Sequence, residues 1–147
     1  MFVENMLNTT RDRLVTVSYD APLIEAAGLL GSSKNDLVVV CGSGGQLSGV
    51  ITKTDVVRQI SRCQGASCTV AVATVMTDDV IFCRPSNPVS DVWAIMRERR
   101  LKNIPVTDAA SQPLGILNAR DALQVLLTEA ENEEALLRDY VMCVGYR

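Results

Sequence analysis

The chain has 147 residues, of which 48 % are hydrophobic, with 14 basic against 17 acidic side chains for a formal charge of −3. That length suits one compact domain, or two small halves sharing a core, because units of about 60 residues bury little surface alone. With only one tryptophan, three tyrosines and two phenylalanines and no basic excess, a broad nucleic-acid surface is excluded, and no apolar run approaches the roughly 20 residues that span a bilayer.

In chain order, Met1 to Arg13 lacks the apolar core of a signal peptide, which makes a cytoplasmic protein with no membrane partner the expectation, and Asn5 to Arg13 leads into the first strand. Leu14 to Val17 reads as a short strand. Asp20-Ala21-Pro22 then supplies a helix start, with proline near the first helical position where its missing N–H costs nothing. Leu23, Ala26, Ala27 and Leu30 follow at helical spacing. Leu37 to Cys41 is an apolar run of strand length, Gly42-Ser43-Gly44-Gly45 is a turn, and Leu47 to Ile51 is a second run, so this pair predicts a β-hairpin. A helix from near Thr52 carries Val56, Val57 and Ile60, and the order is β-α-β-β-α.

The second half repeats that order. Strand Val80 to Cys83, a helix from Pro88, strand Ile104 to Thr107, a turn over Asp108 to Ser111, strand Leu114 to Leu117 and a helix from about Asn118 into the 130s follow in turn. Val92, Trp93 and Met96 at helical spacing read as core. The expected division is a first repeat with its lead-in over 1–62, a linker over 63–74, a second repeat over 75–131 and a tail over 132–147. The tail is acidic and then apolar, and Leu136, Leu137, Tyr140 and Val141 suit packing on the module or on a second chain.

Residues 14–60 slide onto 80–126 without a gap, matching Pro22 with Pro88, Val40 with Val106, Gln46 with Gln112, Gly49 with Gly115 and Asp55 with Asp121. Two related units therefore share the chain, at an offset of 66 residues. Each carries G-h-h-x-x-x-D where a strand gives way to a helix: Gly49 to Asp55, and Gly115 to Asp121. Thr52 and Thr54 lie beside the free N–H groups of a helix start, a place that suits a phosphate, and Asp55 is an acceptor-only carboxylate suited to the vicinal hydroxyls of a ribose. Simple capping of the helix is the other reading, and recurrence of the motif at the same point of the second unit favours the functional one. Arg97, Arg99, Arg100 and Lys102 fall within six residues; they fit either a helix C-terminus, whose dipole favours cations, or an anion site.

Chemistry beyond binding is poorly provided for. No histidine occurs, which removes the commonest general base. Cys41, Cys63, Cys68, Cys83 and Cys143 are odd in number, with no C-x-x-C pair for zinc. Cys41 and Cys83 sit in apolar runs where cysteine is a small buried hydrophobe; Cys63 and Cys68 leave room for a redox pair. No catalysis, catalytic cofactor or metal is expected.

At these residues the sequence resembles a tandem pair of CBS domains, the regulatory module named after cystathionine β-synthase (a Bateman module). The second half carries the pattern most clearly, in Val75-Met76-Thr77, in Asn103-Ile104-Pro105-Val106-Thr107-Asp108 and in Gly115-Ile116-Leu117 with Asp121. The resemblance covers residues 6 to 130. It implies an α/β (α+β) fold of two β-α-β-β-α repeats packed as a pseudo-twofold disc, association of two pairs into a homodimer, and adenosine compounds in clefts between the repeats. AMP, ADP and ATP are the expected ligands, with S-adenosylmethionine and NAD as further members of the class.

By motif position, the resemblance implies a first cleft with Thr52 and Thr54 at phosphate, Asp55 at ribose, and Val50, Val80, Ile81, Ile104 and Pro105 around the adenine, with Lys102 and Asn103 reaching phosphate. A second cleft would use Asp121 with Ile116, Val15, Leu37 and Val38. There Asn118 replaces the usual hydroxyl residue, Arg120 stands at the place of Thr54, and Asp36 puts a negative charge where Lys102 puts a positive one, so the second cleft is expected to be the weaker. The resulting expectation is a stand-alone, non-catalytic sensor that binds an adenosine nucleotide and signals to a partner protein. The alternative is a ligand-free dimerisation scaffold with vestigial clefts.

Overall fold

The computed structural model describes residues 1–32, 36–62 and 69–145. Cys63 and Cys68, and the side chain of Cys143, lie outside what it describes. A 3-10 turn at Val3–Met6 precedes α1 (Leu7–Asp12), and β1 (Thr16–Ser18), α2 (Leu23–Ser32), β2 (Leu37–Cys41), β3 (Leu47–Thr52) and α3 (Lys53–Arg62) form the first unit. After a 3-10 turn at Val72–Thr74, the second unit consists of α4 (Val89–Arg99), β4 (Asn103–Thr107), β5 (Pro113–Asn118) and α5 (Ala119–Gly145). The α+β class and the paired units expected from the sequence are present.

Strand β1 runs parallel to β2, with Thr16 opposite Val39, and β2 pairs antiparallel with β3. Leu14, expected to open β1, instead donates its N–H to Arg11 O at 3.1 Å and closes the last turn of α1, which delays the strand to Thr16. In the second unit β4 and β5 form the matching hairpin, with Ile104 opposite Leu117. The expected strand Val80 to Cys83 is absent as a strand: only Cys83 bridges, to Val106. Proline explains the difference. In the first unit Val39 N–H donates to Val15 O at 2.9 Å, but the 66-residue register puts Pro105 at the place of Val39 and Ile81 at that of Val15, and proline has no N–H to give.

The strands sort their side chains onto two faces. Val38, Val40 and Ile51 join Leu23, Ala26, Leu30 and Val72 in the core of the first unit, while Ile104, Val106 and Leu117 join Val89, Val92, Met96 and Ala122 in the core of the second. Between them, Leu37, Val39, Val50 and Ile116 form a third cluster that glues unit to unit. Trp93 packs half-buried against the second core, as its spacing predicts.

Each unit is completed by the segment that precedes the other. Val3 and Met6 are buried in the second core, where Val3 N–H donates to Asn87 O at 2.9 Å and Val89 N–H to Met1 O at 3.0 Å. Residues 70–72, read from sequence as linker, do the same for the first: Leu23 N–H donates to Val70 O at 2.8 Å and Val72 N–H to Ala21 O at 2.8 Å. The repeated glycines permit this exchange. A Cβ on Gly115 would lie 2.5 Å from the carbonyl carbon of Thr10, and one on Gly49 would lie 2.7 Å from Thr77 O. The close backbone approach at the motif glycines is thus made by the chain that follows each exchanged segment.

Helix α5 runs well past the expected 130s, to Gly145. Leu136, Leu137, Tyr140 and Val141 stand exposed on it, so within one chain they do not pack on the module.

Candidate functional site

Strand β3 ends at Thr52, which caps α3. Asp55 N–H donates to Thr52 Oγ1 at 3.3 Å, and Asp55 Oδ2 accepts from Thr52 N–H at 3.0 Å and Thr52 Oγ1–H at 3.1 Å. This reciprocal pair satisfies two groups that a helix start leaves without partners. The capping reading of the motif therefore describes how Asp55 is held. Its second oxygen, Oδ1, faces Arg58 Nη1 at 3.8 Å, and the carboxylate, 10 % exposed, stands at the wall of a cleft.

That cleft consists of two adjoining cavities of about 350 Å³ each. The inner one is lined from the first unit by Val50, Thr52, Thr54, Asp55 and Arg58, and from the second by Val80, Ile81, Asn103 and Pro105. The outer one shares Thr52, Thr54 and Asn103 and adds Lys53, Arg100, Lys102 and Asp36. An apolar wall, an acceptor carboxylate, two hydroxyls and cations thus converge from both units. Asn103 is positioned by Asn118, whose Nδ2 donates to Asn103 Oδ1 at 2.9 Å.

Of the residues expected at this cleft, Thr52, Thr54, Asp55, Val50, Val80, Ile81, Lys102, Asn103 and Pro105 line one cavity or the other. Ile104 does not. Strand alternation turns it inward, and it is 1 % exposed in the core of the second unit. The four-cation cluster divides between its two readings: Arg97 and Arg99 end α4, with the Arg97 guanidinium 5.0 Å from the Trp93 ring centre, whereas Arg100 and Lys102 line the outer cavity. Arg58, Asp79, Thr77 and Leu101 also line the cleft and were not assigned to it from the sequence. Arg58 was within reach as the residue one helical turn beyond Asp55; Asp79 and Leu101 sit in irregular chain that carries no periodic signal.

The residues assigned to the second cleft are dispersed. Val38 is fully buried in the first core, Ile116 is buried between the units, and Leu37 lines the first cleft. Val15 packs half-buried against the first core. Asp36, expected to oppose charge in the second cleft, lines the first and pairs with Lys53 at 3.0 Å; both are half-exposed, so the pair contributes little, on the order of 0–1 kcal/mol. Asn118 caps α5, its Oδ1 accepting from Arg120 N–H at 2.9 Å, and Arg120 itself is exposed. Asp121 is held by Arg13, with Nε to Oδ2 at 2.5 Å and Nη2 to Oδ1 at 3.1 Å.

Among the described residues no group of histidine, cysteine and carboxylate side chains is placed to hold a metal ion, and no helix is long and apolar enough to cross a membrane. Cys83 is 2 % exposed, and burial pushes its thiol up to about 12; burial also raises that of Cys41. Cys83 is the buried hydrophobe expected, whereas Cys41 is only half-buried, at the edge of the cluster between the units.

The family model of the CBS domain matches residues 3–62 and again residues 72–128. The chain is 32 % identical over 96 residues to a homoserine O-acetyltransferase of Methanocorpusculum labreanum, a match taking in 65 % of this chain. It spans 18 % of the length of the curated relatives it matches. Among solved structures, a CBS-domain containing protein from Agrobacterium tumefaciens is similar at a TM-score of 0.73 and 30 % identity, over 85 % of this chain and 98 % of that one. CBSX2 in complex with AMP is similar at a TM-score of 0.74 and 24 % identity, over 88 % of this chain and 98 % of that one.

Proposed function

The chain belongs to the CBS-domain family, as a tandem pair, and we propose that it is a regulatory module that binds an adenosine nucleotide in the cleft of Asp55 and signals its occupancy to a partner protein. The observation that carries this reading is the convergence on one cleft of chemically distinct walls from both units: Val80, Ile81 and Pro105 for a base, Asp55 for ribose hydroxyls, and Thr52, Thr54, Arg100 and Lys102 for phosphate. The AMP held by a protein of the same fold supports the ligand class. Cations at the outer cavity favour a phosphorylated ligand (AMP, ADP or ATP) over S-adenosylmethionine, whose sulfonium adds positive charge; NAD is the larger alternative.

Binding of this kind acts by bridging. The ligand touches α3 of one unit and the segments around β4 of the other, so any difference in its affinity for two relative orientations of the units shifts their populations. The bridging geometry supports a regulatory role for the cleft. Ile24, Val57 and Ile60 are each about 60 % exposed on α2 and α3, and Val57 lines a groove between these helices with Ala27, Leu30, Gly31, Val56 and Lys53. This apolar face suits a homodimer, and it is also what a ligand-free scaffold would need.

Calorimetric titration with AMP, ADP, ATP, S-adenosylmethionine and NAD tests the proposal. Saturable binding of at least one phosphorylated adenosine compound is expected. Absence of heat and of thermal stabilisation by all five at millimolar concentration would leave the scaffold reading in its place.

A further inference from the structure

The 66-residue register relates the surroundings of the two motif carboxylates residue by residue, and it reveals an exchange of charge. Asp55 corresponds to Asp121, and Asp79, which lines the first cleft beside Asp55, corresponds to Arg13. In the first cleft that position carries a carboxylate and leaves Asp55 to Thr52 and to a distant Arg58. In the second it carries a guanidinium, which takes both oxygens of Asp121. We propose that Arg13 is a built-in occupant of the second cleft, holding the carboxylate that would otherwise receive a nucleotide's ribose, so that the chain takes one nucleotide and keeps a second site latent. This rests on the reading of Asp55 as a ribose acceptor.

The chemistry of the two occupants is alike. A ribose offers a carboxylate two neighbouring O–H donors, and the edge of a guanidinium offers two parallel N–H donors with a full charge behind them. Arg13 has a further advantage in being tethered, since an intramolecular partner acts at an effective concentration in the millimolar range or above. The fold delivers it. Gly115 lets Thr10 lie against β5, and Arg13, closing α1, then falls at the first turn of α5, with its side chain 27 % exposed and that of Asp121 19 % exposed. A pair so sheltered is screened less than one on the open surface. It also joins residues 108 apart in sequence, tying the first unit's entry to the second unit's last helix.

The test is the number of nucleotides bound per chain, measured by calorimetry with ADP on the full chain, on Arg13→Met and on Asp121→Asn. Methionine keeps the buried stem and removes the fork; asparagine releases Arg13 without restoring a charged ribose acceptor. One equivalent is expected for the parent and for Asp121→Asn, and two for Arg13→Met, with the added site lost in the double variant Arg13→Met/Asp121→Asn. Occupancy of the first cleft in every variant reports that the fold is intact. Two equivalents in the parent, or no more in Arg13→Met than in the parent, would overturn the proposal and leave Arg13 as a structural tether. A parent that binds none while Arg13→Met binds one would sustain it against the reading of the first cleft. No binding in any of the variants would remove both.

Discussion

Replacing Asp55 with alanine separates its two roles, because each has its own magnitude and its own readout. In the folded chain its Oδ2 accepts from the backbone and hydroxyl of Thr52, and its Oδ1 faces Arg58 at 3.8 Å. The Arg58 side chain is 56 % exposed, so that ion pair contributes little. A sheltered hydrogen bond to a charged group contributes about 1.5–3 kcal/mol, and loss of a cap costs about 0.5–2 kcal/mol; the two overlap, and a destabilisation of about 2 kcal/mol is expected. The ligand term is separate. A nucleotide at one hundred times its Kd stabilises the parent by about 2.7 kcal/mol, and a tenfold weaker site at the same concentration gives only about 1.4 kcal/mol. Urea denaturation with and without nucleotide measures both quantities on one sample. Asp55→Asn, which still accepts from Thr52 N–H, should recover most of the stability and little of the binding. If alanine lowers the stability of the free protein but leaves the nucleotide-dependent increment intact, Asp55 is a cap and nothing more, and the assignment of the cleft fails.

Other expectations follow from the same geometry. Gly115→Ala places a Cβ 2.5 Å from the Thr10 backbone, where only movement of α1 relieves it; a loss of about 1–3 kcal/mol is expected by denaturation, and an unchanged midpoint would mean that α1 is not seated on β5. Cys83 favours its neutral form in the fold, its thiol raised to about 12 against an ordinary 9.0. Its contribution is therefore complete below pH 9 and is lost as pH rises toward 12, stability falling by about 1.4 kcal/mol per pH unit across that window; Cys83→Ala should flatten the slope, and rapid labelling of Cys83 by a thiol reagent at pH 8 would contradict its burial. The apolar face of Ile24, Val57 and Ile60 predicts a dimeric mass by light scattering at micromolar protein, and a monomeric mass for Val57→Glu.

Much of the architecture was legible in the chain because it is written in short-range chemistry. The duplication shows in the recurrence of Gly49 and Asp55 as Gly115 and Asp121, and β2 was read to the residue because Leu37 to Cys41 is an apolar run bounded by turn residues. Many residues lining the cavities beside Asp55 stand at family motif positions, which carry spatial information that one copy alone lacks, but Ile104 turned into the core and Arg58, Asp79 and Leu101 had no motif to place them. Which way a side chain points was less legible. In β2 nearly every residue is buried, since both faces of the strand are covered, and a run apolar on both faces carries no alternation from which to assign Leu37 to the cleft and Val38 to the core. The strand expected at Val80 to Cys83 failed for a reason held elsewhere in the chain: the missing N–H belongs to Pro105. Only the tertiary structure decided the exchange of lead-in segments and the pairing of Arg13 with Asp121. Both join residues far apart in sequence, and their partners are chosen by how the two units pack rather than by any local pattern.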